Sequence, residues 1–284
     1  MKTAYYKYRP LYQESNDGRK PHPFTQTIFE KAEIYYSTPN DFNDPYDCNL
    51  KLHVADSTDA EWAEYCDKLA AQHPHRKAQM EDVKTRKLWQ TEPALSEEVG
   101  NETHKTNCES SVFCLSKKPN SIPMFSYYAD NHRGIAIEFQ FSNEEVPSGI
   151  PIGAPAHPEN LHGIEIIFED VKYTSTFPEL NYHRLYGKHQ LVTNLIFTKH
   201  HEWSHEKEMR VFRFGVPASK VRFDKNALTR VIFGCKSTQD DVDLVRSWII
   251  DWPSDVIFAK VEMATSQFAL EVKNFGSVKS NVKP

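Results

Sequence analysis

The chain has 284 residues, 39% hydrophobic and 12% aromatic, which is enough to bury one large core, or a core with a helical insertion. Its formal net charge of -5 argues against a global basic surface, so we expect no general nucleic-acid affinity. Five scattered cysteines without C-x-x-C spacing, and no run near the roughly 18 apolar residues of a membrane span, predict reduced thiols, no membrane partner and a cytoplasmic location.

The first segment of the chain predicts alternating strands and short connections. The aromatic-rich stretch TAYYKYR favours a strand, which Pro10 would end. A short helix, a strand and a turn-dense loop are then predicted, in that order, at residues 24–33, 34–37 and 39–45.

Residues 57–107 have a different character and predict a helical insertion. Thr58 and Glu61 match a capping box, and apolar residues then recur at helical spacing. Strands resume at residues 110–116 and 134–141, separated by a loop and helix. Residues 143–163 contain four prolines and predict an irregular loop.

The second half predicts more strands and two helices. An apolar face from residue 185 indicates a helix that ends near residue 204, followed by the strand MRVFRF. The remaining elements are a strand, a helix capped by Thr238 and two further strands, at residues 229–234, 238–249, 255–263 and 268–272. We therefore predict an α+β fold, with one mixed-sheet domain over residues 1–284.

The string HEWSH at residues 201–205 has the H-E-x-x-H spacing of zinc hydrolases. In such a site both imidazoles lie one helical turn apart in the middle of a helix, and a third ligand follows. Here the string lies at a helix end, and no downstream G-x-x-H completes the pattern. Zinc hydrolysis through His201, Glu202 and His205 therefore remains an alternative, and we expect no metal.

The adjacent stretch HEKEMRVFRF suggests different chemistry. If it is a strand, Glu206, Glu208 and Arg210 share one face, because side chains alternate along a strand. The row is either an exposed, solvated face or part of a binding site. A site would need other polar groups, and three stretches offer them: Lys7, Tyr8 and Arg9; Asn43, Asp44 and Asp47; and Tyr127, Tyr128, Asp130, His132 and Gly134.

The order of these motifs resembles a bacterial family called domain of unknown function 2971. Its most specific elements here are FNDPYD (42–47), YADNHRG (128–134) and WSHEKEMR (203–210), and the resemblance extends from about residue 6 to about residue 272. The family's layout is similar to ADP-ribosyltransferase-like folds, in which an early strand contributes to an NAD pocket and a late strand supplies a catalytic glutamate.

The resemblance implies NAD as substrate and assigns roles to ten residues. Glu208 would stabilise the positive charge that develops as the nicotinamide bond breaks, with Glu206 as its helper and Arg210 as part of the catalytic group. Arg9 would bind the pyrophosphate. The remaining nucleotide-binding residues would be Tyr8, Asn43, Asp44, Tyr127, Tyr128 and His132.

Two classes of function stay open beside the zinc alternative. The first is an NAD-consuming transferase or glycohydrolase, such as a toxin or phage-defence effector, acting on a macromolecular target that the sequence does not identify. The second is a module that binds a nucleotide or a partner without catalysis. Both predict that the separated polar motifs line one cleft.

Overall fold

Strands from both ends of the chain form one eight-stranded sheet in the computed structural model. The model describes residues 2–16, 18–50, 52–54, 56–92, 94–95, 97, 109–142, 166–178, 180–185, 189–250 and 252–278. The strands are β1 (Lys2–Arg9), β2 (Tyr12–Ser15), β3 (Gly18–Pro21), β4 (Glu33–Tyr36), β5 (Ser111–Ser116), β6 (Ile135–Ser142), β7 (Ile166–Asp170), β8 (Lys172–Thr174), β9 (Thr198–His200), β10 (Glu208–Arg213), β11 (Ser219–Arg222), β12 (Leu228–Phe233), β13 (Val256–Met263) and β14 (Leu270–Val278).

The main sheet has the order β14-β13-β12-β6-β1-β5-β10-β7. Its neighbours are antiparallel except β12 and β13, which run parallel, so the sheet is mixed. The helices are α1 (Pro23–Lys31), α2 (Asp59–Gln72), α3 (Lys77–Arg86), α4 (Ile122–Tyr128), α5 (Tyr182–Leu185), α6 (His189–Ile196) and α7 (Gln239–Trp248). The predicted α+β class with a mixed sheet is confirmed. Among the described residues, no helix combines the length and apolar character needed to cross a membrane.

Both faces of the sheet are covered by apolar side chains. On one face, α1 and α7 pack against strands β1, β6, β12 and β13 through Phe29, Val245 and Trp248. On the other, α4 packs through Met124 and Phe125. The central strands β5 and β6 are buried on two sides, so their sequences are apolar at successive positions, which explains why Phe, Val and Ile are frequent in them.

The helical insertion forms its own small core. Thr58 caps α2 through the predicted box: its hydroxyl accepts the Glu61 N–H at 3.2 Å, and the Glu61 carboxylate accepts the Thr58 N–H at 2.7 Å. Helices α2 and α3 pack together around Cys66, Leu69 and Met80. Residues 98–107 of the predicted insertion and the predicted irregular loop 143–163 lie outside the described residues.

A helix is present within the span predicted from residue 185, but its predicted end near residue 204 is wrong. Helix α6 ends at Ile196, strand β9 follows, and residues His201–Glu206 form a 3₁₀ helix. The chain leaves the helix because β9 pairs in parallel with β8, an element about 25 residues earlier in the chain. No glycine or proline marks this change in the sequence.

Gly134 is required where β6 begins. A Cβ atom at this position would lie 2.4 Å from the Arg9 carbonyl oxygen and 2.9 Å from the Ala129 backbone. We expect Gly134→Ala to lower the free energy of unfolding by about 1–3 kcal/mol, because rigid backbone lies against the new methyl group. Urea denaturation would measure the loss. Gly276→Ala is the matched control, since open space surrounds Gly276 in β14; equal effects at both positions would contradict this account.

His183 makes folding sensitive to acid. Its ring is buried against Trp62 and Tyr65, with ring centroids at 4.3 and 4.7 Å, and neither ring nitrogen has a hydrogen-bond partner among the residues that the structure describes. Burial lowers the pKa of His183 from 6.5 to about 4, although Glu61 opposes the shift. The unfolded chain therefore takes up this proton at higher pH than the folded chain. The contribution of the neutral His183 ring to the free energy of unfolding is complete above pH 6.5 and is lost as pH falls toward 4.

We expect His183→Phe to flatten the stability profile over that window. The difference in the free energy of unfolding between wild type and variant should change by on the order of 3 kcal/mol between pH 6.5 and pH 4. Urea denaturation across this pH range measures it, and taking the difference removes the contribution of carboxylates common to both proteins. Parallel profiles would show that His183 does not titrate with folding.

Candidate functional site

A cavity opens where β1 separates from β5. The ladder between these strands consists of the pair Tyr6 and Ser116, whereas β1 is paired with β6 along its whole length. Beyond this pair, the Lys7 ammonium donates to the Cys114 carbonyl at 2.9 Å, so a side chain reaches the backbone of β5 across the gap. The gap belongs to a cavity of about 300 Å³.

Segments far apart in the sequence line this cavity. They are the end of β1, the loop after β4, part of β5, helix α4 and the region from β9 to β10. Seven of the ten predicted site residues line it: Tyr8, Arg9, Asn43, Asp44, Tyr128, Glu206 and Glu208. Three do not: Arg210, Tyr127 and His132. The polar motifs therefore meet in space, apart from these three side chains.

Arg210 is the centre of a buried charge network beside the cavity. It donates to both oxygens of Glu208, at 2.9 Å each, and to the two oxygens of Asp47 at 2.8 and 2.7 Å. A fifth bond reaches the Ile196 carbonyl at 2.6 Å. These bonds engage all five N–H groups of a fully buried guanidinium. Arg210 was predicted in the catalytic group, but its position is that of a residue that orients Glu208 and Asp47.

Lys199 joins the same carboxylates from the other side of the network. Its ammonium lies 2.8 Å from Glu206, 3.0 Å from Asp47 and 3.7 Å from Glu208. Burial alone would lower the pKa of Lys199, but the three carboxylates outweigh burial and raise it. Lys199 was not predicted as a site residue, because nothing in the local sequence pattern distinguishes this lysine from a solvated one. Asp47 was noted only as part of FNDPYD.

Glu208 is held in its ionised form. Burial would raise the pKa of this carboxyl, but Arg210 and Lys199 outweigh burial and lower it to about 2. Cys114, which also lines the cavity, behaves in the opposite way, since burial and the charge of Glu208 raise the pKa of its thiol. Cys114 is therefore protonated at neutral pH and is a poor nucleophile.

Glu206 enters the network by a different route from the one predicted. It ends the 3₁₀ helix His201–Glu206, and Lys207 follows with a left-handed φ of 45°, so β10 begins only at Glu208. Strand alternation therefore relates Glu208 to Arg210 but does not include Glu206. The alternative of a solvated charge row is also wrong, because all three side chains are buried.

Two tyrosines of the cavity differ in the direction of their hydroxyls. Tyr128 donates to Glu206 at 2.7 Å, and burial together with this carboxylate raises the pKa of Tyr128, which keeps the hydroxyl a donor. Tyr8 donates instead to the Lys118 carbonyl at 2.6 Å and accepts the Ser121 N–H at 3.3 Å. Tyr8 can therefore offer its ring to a ligand, whereas Tyr128 can also offer its hydroxyl.

Strand β1 contributes two cations to the cavity. Within the described residues, neither Lys7 nor Arg9 forms an ion pair. The contacts of the Arg9 guanidinium with described residues are long: 3.4 Å to the Thr25 hydroxyl and 3.5 Å to His22. Burial lowers the pKa of both cations, that of Arg9 to about 10, so its guanidinium stays charged at neutral pH. These groups suit an anionic ligand.

The loop FNDPYD shapes one side of the cavity. Asp44 accepts the Tyr46 N–H at 2.9 Å and so closes a turn, as its sequence type favours. The turn brings Asp47 to Arg210, and the Phe42 ring lies 5.2 Å from the Arg210 guanidinium. Asn43 lines the cavity beside them.

His132 belongs to a strained turn and not to the cavity. Asp130, Asn131 and His132 have left-handed φ values of 46°, 51° and 71°, which cost energy in residues other than glycine. Packing holds them: the His132 carbonyl accepts the Lys236 N–H at 3.0 Å, and its ring nitrogen Nε2 pairs with the Ser126 hydroxyl at 2.9 Å. The motif YADNHRG therefore fixes the passage from α4 into β6.

The HEWSH string does not have the geometry of a zinc site. A 3₁₀ helix has three residues per turn, so His201 and His205, four positions apart, do not lie above one another as they would in an α-helix. Among the described residues, no group of three or more His, Cys, Asp or Glu side chains could hold a metal ion.

Comparison with known proteins gives one match. Neither the curated proteins nor the solved structures contain a match to this chain. The model of one family, described as "Protein of unknown function (DUF2971)", matches residues 124–211, which include YADNHRG and EKEMR. The resemblance predicted from these two motifs is thereby confirmed over the matched part of the chain: residues 124–211 are similar to the DUF2971 family.

Proposed function

We propose that the cavity binds NAD and breaks its nicotinamide–ribose bond, as in an ADP-ribosyltransferase or an NAD glycohydrolase. One observation carries the proposal: two buried carboxylates, Glu206 and Glu208, line the same cavity as Lys7 and Arg9, two cations that have no ion-pair partner in the described part of the chain. NAD carries two phosphates for the cations and a positively charged leaving group whose departure needs a carboxylate.

The chemistry assigns a role to each side of the cavity. When the bond from ribose C1′ to the nicotinamide nitrogen breaks, its electron pair neutralises the ring and C1′ becomes positively charged. The ionised Glu208 would stabilise that charge. Tyr128, hydrogen-bonded to Glu206, would contact the ribose, while Arg9 and Lys7 would bind the pyrophosphate. Water or a nucleophile of a macromolecular target then bonds to C1′ and releases its proton.

Glu208→Gln should abolish NAD consumption. Removing the charge should reduce turnover by at least about 100-fold, because a group aimed at transition-state charge contributes at this level. Nicotinamide release from purified protein measures the rate, and the shift in melting temperature on adding NAD verifies that the variant still binds. Glu202→Gln, at an exposed glutamate of HEWSH, is the matched control and should retain full activity. Loss with Glu202→Gln instead would support the zinc alternative.

Arg210 and Arg9 should differ in what their loss affects. Arg210→Met leaves the buried carboxylates of Glu208 and Asp47 with Lys199 as their remaining cation, so we expect the free energy of unfolding to fall by about 3–5 kcal/mol. Arg9→Met removes no ion pair among the described residues and should leave stability nearly unchanged while weakening NAD binding roughly 10- to 100-fold. Urea denaturation and calorimetry measure the two effects. Equal destabilisation by both variants would contradict the assignment of Arg9 to ligand binding.

A nucleotide-binding module without catalysis is the second candidate. It is favoured by the ion pairing of the carboxylates, because Arg210 and Lys199 already neutralise most of their charge. This candidate predicts that NAD raises the melting temperature and is recovered intact after incubation. In the catalytic case, expression in bacteria should lower cellular NAD, as expected for a toxin or phage-defence effector, and Glu208→Gln should prevent the loss.

A further inference from the structure

We propose that a second cavity binds the adenosine end of the ligand, with Tyr127 stacking on the base. This inference rests on the proposed function, since it divides one dinucleotide between two cavities. The second cavity has a volume of about 390 Å³. It shares four lining residues with the first: Lys7, Tyr8, Arg9 and Tyr128.

The shared wall carries the two cations that lack ion-pair partners among the described residues. A dinucleotide has its negative charge in the middle, with a nucleoside at either side of the two phosphates. A ligand with its phosphates at Lys7 and Arg9 would therefore extend one arm into each cavity. The first cavity contains the carboxylates Glu206 and Glu208, so it takes the reacting nicotinamide riboside. The second is left for adenosine.

The residues specific to the second cavity suit a nucleobase. Tyr127 is 71% exposed, and its predicted role in nucleotide binding is therefore kept, but at this second cavity. Arg19 presents a planar guanidinium, with its central carbon 4.3 Å from the centre of the Tyr12 ring, and is anchored to Asp130 at 2.6 Å. Planar aromatic and guanidinium groups are the usual stacking partners of bases.

Hydrogen-bonding groups complete the lining. The carboxylates of Glu14 and Asp130 line the same cavity and can accept bonds from an exocyclic amine or from ribose hydroxyls. The Arg19–Asp130 ion pair links the β2–β3 hairpin to the strained turn after α4, so the two sides of the cavity are held together. The left-handed backbone conformation of that turn directs the Asp130 side chain toward the hairpin.

The test uses each half of the ligand as a separate probe on the full chain. Adenosine 5′-monophosphate should bind to wild type, and Tyr127→Ala should weaken its binding about 5- to 150-fold, the range of one base–aromatic stack. Tyr127→Phe should restore binding, because the ring and not the hydroxyl is required. Nicotinamide mononucleotide should bind equally to all three proteins. Phe268→Ala, at a fully exposed aromatic outside both cavities, is the matched control and should change neither affinity.

The outcomes separate this inference from the proposed function. If adenosine 5′-monophosphate does not bind, or binds equally to wild type and Tyr127→Ala, the adenosine subsite is refuted even where NAD is consumed. A target peptide would then be the better occupant of the second cavity. The other outcome is that binding of adenosine 5′-monophosphate depends on Tyr127, but NAD binds no more tightly than adenosine 5′-monophosphate and is not consumed. In that case the adenosine subsite stands and the proposed reaction is refuted.

Discussion

The hydrogen bonds of the planar Arg210 guanidinium are the interactions on which the rest of this structure depends. Its five N–H groups bond to Glu208, to Asp47 and to the end of α6, and so join β10 to the end of α6 and to the distant loop after β4. Lysine could not replace it, because an ammonium has three donors and no planar fork. Burying such a network contributes little net stability, since desolvation offsets the attraction between the charges. Its value is geometric: it fixes the positions of carboxylates that would otherwise rotate freely in water.

The network also leaves a charge imbalance that the cavity can use. Three carboxylates, Asp47, Glu206 and Glu208, face two cations, Lys199 and Arg210, so one negative charge remains uncompensated within the network. In a buried setting, one charge acts over a longer range than it would in water. A positively charged ring or an oxocarbenium ion at this side of the cavity would therefore be stabilised.

Local periodicity and capping motifs were sufficient to predict most strands and the capped helices α2 and α7, whereas the grouping of the polar motifs in one site came from the family resemblance. It could not predict features that depend on distant partners. Helix α6 ends because the following strand β9 pairs with β8, and nothing in the sequence near Ile196 indicates that the helix ends there. Glu206 leaves the strand because Lys207 adopts a left-handed conformation, which a period of two cannot reveal. Lys199 and Asp47 become important only through burial, and charged residues in a sequence are by default expected at the surface.

Two adjacent tyrosines of one motif have different surroundings because their side chains point in different directions. Tyr127 and Tyr128 follow one another on α4, and successive helical side chains point about 100° apart. One therefore faces Glu206 while the other is exposed beside the second cavity. The family resemblance implied that both would bind the ligand, but it could not show that only Tyr128 would also line the first cavity.

The sheet itself explains why opposite charges face one cavity. Strands β14-β13-β12-β6-β1 form one part and β5-β10-β7 the other, and the ladder pair Tyr6–Ser116 joins them. The first part carries the cations of β1, whereas the second carries the carboxylate and guanidinium of β10. A ligand with a cationic ring and a central pair of phosphates matches both parts at once, while a simple anion matches only the first. NAD in its oxidised form has both features, and this charge complementarity is the main physical argument for our proposal that it binds across the junction.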